Sequence, residues 1–402
     1  MGGTRRVIVV GAGPIGLEAA AAAVAAGHAV TVLERGDVAD HVRQWGHVQL
    51  FTAFGMNSGP AGRALLEAAG VLLPADGEHL SGATWRERYL LPLAAALRDQ
   101  VRLETGATVR HVSRPHLLKS DAVGETSRRA ADGFRVFFDQ HHGEHVLDAD
   151  AVLDCSGTWG TPNWLGPGGA PALGERALRS AICYHPPDVL FAEFDRYGGR
   201  HVCLVGNGDS AATTVLALAQ LAETVAGTRV TWVTRTGGGR PVAARPDDPL
   251  PGRRSVVALA NAVATAGGDV VRWIRDAQIV EITKDAKGFA LRLETRDGEW
   301  VEQADEVIAN IGYEPDDSLY RALQVHECYA SRAPMKLSAA LSAASGKGGA
   351  DCLDLGGFGP DVLKNPEPDF FILGAKSYGK TSAFLLRTGY EQVRDVMGLI
   401  GG

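Results

Sequence analysis

The chain has 402 residues, of which 45% are hydrophobic and 22% charged, and a formal net charge of −7. This length predicts two or three domains, each with its own core, in a soluble globular protein. The acidic balance argues against nucleic acid as a partner.

The elements follow in chain order. Arg5 and Arg6 precede an apolar run, as in a signal peptide, but Gly11, Gly13 and Pro14 break that run. It reads as a first strand, over 6–10. The alanine-rich stretch after it contains Glu18, Gly27 and His28 and is short for a membrane span. An amphipathic helix over about 14–26 is expected, followed by a strand over 28–35, which makes a βαβ unit. Gly11, Gly13 and Gly16 spell GxGxxG between that strand and helix. Gly11 allows the tight turn, Gly13 lets a pyrophosphate approach, and Gly16 lets helix pack on strand. Pro14 and Ile15 open the helix, whose N-terminus faces the phosphates. Glu34, with Arg35 beside it, closes the second strand where an acid can bond a ribose hydroxyl.

Residues 41–60 read as an aromatic loop and 84–98 as a helix, followed by short strands over 100–155. The charged stretch 119–133 reads as a solvated hairpin or loop. A Gly/Pro-rich linker at 157–174 is the first domain boundary. A second βαβ unit follows, with strand 201–205, helix 209–222 and strand 229–235. Gly206, Gly208 and Ala211 make GxGxxA around Asp209 and Ser210. Arg235 takes the place of the ribose-binding acid, and a cation there suits a 2′-phosphate. Arg240, Arg245, Arg253 and Arg254 follow in an irregular loop over 236–254 and are expected to form a phosphate pocket. A helix (253–266), short strands to 316, and a closing strand, loop and helix (369–397) complete the chain.

Two unlike fingerprints imply two nucleotides. The first site is expected to hold FAD and the second NADPH, with hydride passing from nicotinamide to isoalloxazine. The fold class is α/β. An FAD-binding domain (1–160 and 319–402) is interrupted by an NADPH-binding domain (161–318). Both are Rossmann-like and doubly wound, with a small antiparallel β insertion. The five cysteines, Cys155, Cys183, Cys203, Cys328 and Cys352, show no CxxC or CxC spacing. A reduced cytoplasmic protein without disulfides or metal is expected.

Several motifs carry a resemblance: "GAGPIG" with Glu34, "DCSGTWGTPNWLG" (154–166) with Gly157, "VGNGDSA" (205–211), "VIANIGYEP" (307–315) with Gly312, and "FFILGAKSYG" (370–379). Over nearly its whole length the chain resembles the two-dinucleotide-binding-domain flavoproteins, from thioredoxin reductase to the flavin-containing monooxygenases. The SGTxGxP and GxGxSA forms resemble the monooxygenase branch. Before the second fingerprint, His185 stands as a trace of a monooxygenase histidine motif whose phenylalanine and glycine are missing. Gly374 and Lys376 fall in the C-terminal flavin motif. Ala375 and Lys376 stand where the reductases have aspartate, so the ribityl contact is expected from backbone or water.

A thioredoxin-reductase-type relay needs two thiols near the flavin. No cysteine pair has that spacing, and the first glycine loop has no cysteine. Cys155 reads as a packing residue, and Cys328 has His326 nearby. An oxygenase needs a dry pocket over flavin C4a. By resemblance, Trp45 contacts the flavin and Asn57 is the catalytic residue near C4a. A helix starting near Thr388–Gly389 directs its dipole at the flavin. The expected activity is an NADPH-consuming monooxygenase that forms a C4a-(hydro)peroxyflavin and acts on a small molecule with O2, without membrane contact and as a homodimer. An NADPH-dependent flavin reductase of a disulfide, quinone or protein partner is the alternative. A non-catalytic FAD-binding sensor or scaffold is the third.

Overall fold

A computed structural model describes residues 3–141, 143–236, 238–245, 247–266, 268–345 and 358–401. The chain divides into two units, Met1–Thr161 with Glu314–Gly402, and Pro162–Tyr313.

In the first unit, the β-branched run Arg6–Val10 is buried on both faces after Arg6. A strand apolar on both sides belongs in the middle of a covered parallel sheet. It has that place: the order is Phe370–Ile372, Ala151–Asp154, Arg6–Val10, Ala29–Leu33 and Arg102–Glu104, every pair parallel. Val7 and Val9 face a layer that includes helices Pro14–Ala25 and Leu386–Ile400. Ile8 and Val10 face an antiparallel sheet of Thr108–Ser113, Phe134–Gln140 and Gly143–Ala149.

Three stretches of this unit differ from the sequence reading. The helix expected over 84–98 is Gly82–Trp85, a π turn Arg86–Leu90, and Leu91–Leu97. Pro92 has no N–H for a regular i→i−4 bond, and the wider turn accommodates the loss. After the expected loop comes an unforeseen helix, Pro60–Ala68. Its first free N–H groups, of Ala61 and Gly62, donate to the two carboxylate oxygens of buried Glu18, each at 2.8 Å. The charged stretch 119–133 is not solvated throughout. It contains helix Thr126–Ala130, and Arg129 is fully buried. Arg129 and Arg114 converge on buried Glu367 at 2.6 and 2.8 Å. Arg129 also donates to the carbonyls of Leu118 and Asp121.

In the second unit, a parallel sheet runs Val271–Ile274, Arg229–Val233, His201–Val205 and Glu306–Ala309. Helices Asp209–Thr224 and Pro251–Thr265 pack together beside it. A second antiparallel sheet comprises Gln278–Asp285, Gly288–Thr295 and Gly298–Ala304, so each unit has one where a single insertion was expected. The Gly/Pro-rich linker is folded around one carboxylate. Glu175 is fully buried and accepts from the backbone of Leu165 and Ala172 and from Tyr184 Oη at 2.7 Å. Among the described residues no helix is long and apolar enough to cross a membrane.

Candidate dinucleotide sites

The first unit contains a cavity of about 320 Å³. Its lining includes Gly11, Gly13, Pro14 and Ile15 from the first glycine turn, Glu34 and Arg35, and Cys155, Ser156 and Gly157 from the next strand end. Gly374, Ala375 and Leu386 line it from the C-terminal segment. The turn is built by its glycines. Gly11 has φ +100° and lies against Cys155, and a Cβ at Gly16 would come within 1.8 Å of Gly11 O. A Cβ at Gly13 would meet nothing within 4 Å, so this face of the turn is open to a ligand. Glu34 accepts from the Ala12 N–H at 2.7 Å and the Gly36 N–H at 2.8 Å. Its carboxylate is thus fixed beside the turn with lone pairs to spare. Arg35 is exposed, 3.1 Å from His41 Nε2. Burial, then the Arg35 charge, pushes the His41 imidazole below its ordinary range, towards the neutral form.

Other expected flavin contacts lie behind or beside this cavity. Lys376 is buried. Its ammonium is 2.7 Å from Asp154 and 3.0 Å from Ser156 Oγ, while Gly374 and Ala375 form the wall. Thr388 is buried in the first turn of a helix that begins at Leu386, earlier than expected. The next residue, Gly389, packs so closely that a Cβ there would lie 2.5 Å from Ile15 Cδ1. Trp45 is half-buried against Trp85, with ring centroids 6.2 Å apart. Asn57 is buried in a corner. Its side chain bonds Thr52 at 2.7 and 2.8 Å, and its carbonyl accepts from Trp85 Nε1 and Tyr390 Oη. Neither Trp45 nor Asn57 lines the cavity. Trp85 and Tyr390, distant in sequence, close round them, while the Asn57 side chain itself is held by nearby Thr52.

Cys155 is the one cysteine among the described lining residues. Burial, reinforced by Asp154, pushes its thiol well above the ordinary range. Burial also raises Cys183, and takes Cys203 to about 12. Cys328 goes the other way, to about 6, because the Ser331 backbone N–H, the hydroxyls of Ser338 and Ser331 and the Ala330 backbone stabilise its thiolate. Cys352 lies outside the described residues. Among those residues no group of three or more His, Cys, Asp or Glu side chains is placed to hold a metal.

In the second unit, Gly206 has φ +133°, and a Cβ there would lie 2.1 Å from Asn310 O. Gly208 is open to its surroundings and precedes helix Asp209–Thr224, in which Ser210 falls in the first turn and Ala211 is fully buried. Trp232 Nε1 donates to Gly206 O at 2.8 Å and holds the turn. Arg235 is exposed just beyond the strand end. A second cavity, about 520 Å³, is lined by Arg240, Arg245 and Arg254 and by apolar atoms of Val257 and Ala258. Asn261 ties the arginine loop to its helix through both backbone groups of Val242, each at 3.0 Å. Arg253 does not join this set. It is buried and forms a two-pronged pair with Asp248 at 2.6 and 2.7 Å. Gly312 has φ +79° beside Asn163, and Gly157 has φ +70°. His185 stacks on Tyr313 at 5.6 Å, with Nδ1 2.9 Å from the phenol oxygen.

The family model for pyridine nucleotide-disulphide oxidoreductases matches residues 6–40, the first βαβ unit. No curated protein sequence matches the chain. Among solved structures, a bacillithiol disulfide reductase from Bacillus cereus is 18% identical with a TM-score of 0.71, covering 99% of each chain. An ornithine hydroxylase from Pseudomonas aeruginosa is 16% identical with a TM-score of 0.64, covering 98% of each. A flavin monooxygenase from Stenotrophomonas maltophilia is 20% identical with a TM-score of 0.57, covering 99% of this chain and 98% of the other. The chain has the two-domain flavoenzyme fold. Reductases and hydroxylases share this flavoenzyme fold, and the chain runs the full length of each. Sequence reasoning gave Asp154, Ser156 and Glu18 no role of their own. The one local signal was an acid placed two residues before a serine in the "DCSG" turn.

Proposed function

We propose that the chain is an FAD- and NADPH-dependent oxidoreductase, and specifically a monooxygenase acting on a small molecule. The first cavity fits FAD: the open face at Gly13 leaves room for a pyrophosphate, and the fixed Glu34 carboxylate can accept from a ribose hydroxyl. In the second unit, a 2′-phosphate can meet exposed Arg235 beyond the strand end, or Arg240, Arg245 and Arg254 on the wall of a cavity that Asp248, paired with Arg253, also lines. Bound FAD supplies two-electron chemistry between NADPH and an acceptor. Overall, NADPH, a proton, O2 and the substrate give NADP+, the oxygenated substrate and water.

The observation that carries the oxygenase reading is the make-up of the cavity wall. Cys155 is the one cysteine among its described lining residues and is buried, whereas a thiol relay needs two exchanging thiols at the flavin. A second reading, reduction of a disulfide, is favoured by Cys328, whose thiol lies near 6. Replacing all five cysteines by serine separates the two. The oxygenase reading expects NADPH oxidation by O2 to continue at close to the wild-type rate. A folded, flavin-loaded variant that no longer turns over moves the assignment to the disulfide reductase.

A further inference from the structure

Ser156 stands on the wall of the first cavity, at the turn after strand Ala151–Asp154. Its Oγ is 2.6 Å from Asp154 Oδ1 and 3.0 Å from Lys376 Nζ. Its backbone N–H also donates to Asp154 Oδ1, at 3.1 Å. Lys376 Nζ lies 2.7 Å from the other carboxylate oxygen, and neither charged side chain has any exposure. Lys376 also sits 5.1 Å from the centre of the Tyr320 ring.

These contacts fix the direction of the Ser156 proton. An ammonium only donates, a carboxylate only accepts, and a serine hydroxyl has one hydrogen and two lone pairs. The Ser156 hydrogen therefore goes to Asp154, and one lone pair takes the Lys376 ammonium. One lone pair remains and no donor. Towards the cavity, the Ser156 hydroxyl is an acceptor and nothing else. A phosphate oxygen, with no hydrogen to give, finds no partner there. A ligand hydroxyl does.

We infer that Ser156 accepts a hydrogen bond from a hydroxyl of the bound dinucleotide, with Asp154 and Lys376 acting through it as positioning residues. The inference rests on the FAD reading of this cavity. Ala375 leaves its segment of the wall without a carboxylate, whereas the buried ion pair holds the Ser156 acceptor in one orientation. Lys376 thus belongs to the site without touching the ligand.

The test is binding of FAD and its deoxy analogues to the deflavinated full-length protein, followed by calorimetry. One set lacks single ribityl hydroxyls, and the other lacks single adenosine ribose hydroxyls, so the set that responds identifies the partner. Besides the analogue that lacks the ribose hydroxyl taken by Glu34, one analogue is expected to bind about fivefold more weakly than FAD, the loss from one neutral hydrogen bond. That difference should vanish in Ser156→Ala and persist in Ser156→Thr, which keeps the hydroxyl. If every analogue binds wild type as tightly as FAD, the inference is wrong, and no variant is needed to show it. A loss at the ribose hydroxyl taken by Glu34 survives in Ser156→Ala in any case, but if every other difference also survives there, the contact lies elsewhere and the inference is overturned. A wild type that binds no FAD removes the cofactor reading itself, and the Ser156 assignment with it.

Discussion

Gly13 and Gly16 belong to one motif but answer to different constraints. A side chain at Gly13 projects into open space, whereas one at Gly16 collides with the Gly11 carbonyl. Gly13→Val should therefore melt like deflavinated wild type and carry no flavin, and Gly16→Val should fail to accumulate as folded protein. Thermal melts and flavin-to-protein ratios check this, and a normal flavin load in Gly13→Val sinks the first site. Arg235→Ala should raise KM for NADPH about tenfold or more, the loss of a charged hydrogen bond, and leave KM for NADH nearly unchanged. Equal effects on the two coenzymes contradict the 2′-phosphate role. Cys328 is set apart by pH. Its folded thiol titrates near 6, so its thiolate fraction rises through that pH instead of near the ordinary thiol value of 9.0. Alkylation by iodoacetamide, read peptide by peptide, should accelerate at Cys328 with a midpoint near 6 while Cys155 and Cys203 stay unreactive. A midpoint above 8 at Cys328 removes support for the disulfide reading. The glycine turns were legible because their constraints are local. Lys376 and Asn57 were named by resemblance, but their surroundings were not legible, because Lys376 is fixed by Asp154, and Asn57 by Thr52 within a corner closed by Trp85 and Tyr390.

The elements that escaped the sequence are those closed by a distant charge. Helix Pro60–Ala68 begins well, with proline at its first position, but its capping group is Glu18 on another helix. The stretch 119–133 looks like solvent-facing charge until Glu367 arrives from the far end of the chain to meet Arg129, 238 residues away. Two guanidinium groups then share one carboxylate in the interior. Glu367→Gln leaves both without a counter-charge and should cost about 3–5 kcal/mol in urea unfolding. A loss below about 1 kcal/mol would show that solvent reaches the cluster. By contrast, the sheet strands were readable. Arg6–Val10 and His201–Val205 are apolar on both faces, and that pattern belongs to the middle of a parallel sheet.

The whole molecule repeats one idea twice, a parallel sheet with a glycine turn at the end of its first strand. The first unit is completed only when Phe370–Ile372 pairs with Ala151–Asp154, so it is discontinuous in sequence. The two glycine turns were readable from the spacing of the paired fingerprints. The two antiparallel sheets and the folded linker around Glu175 depend on packing and were only partly foreseen. The most direct test is an anaerobic titration of the purified protein, first with NADPH and then, on a fresh sample, with NADH. A yellow protein is expected, its flavin band bleached by about one equivalent of NADPH, with NADH far less effective. A colourless protein that takes up no FAD, or a flavin that NADPH leaves oxidised, would contradict the assignment of two dinucleotides to the two units.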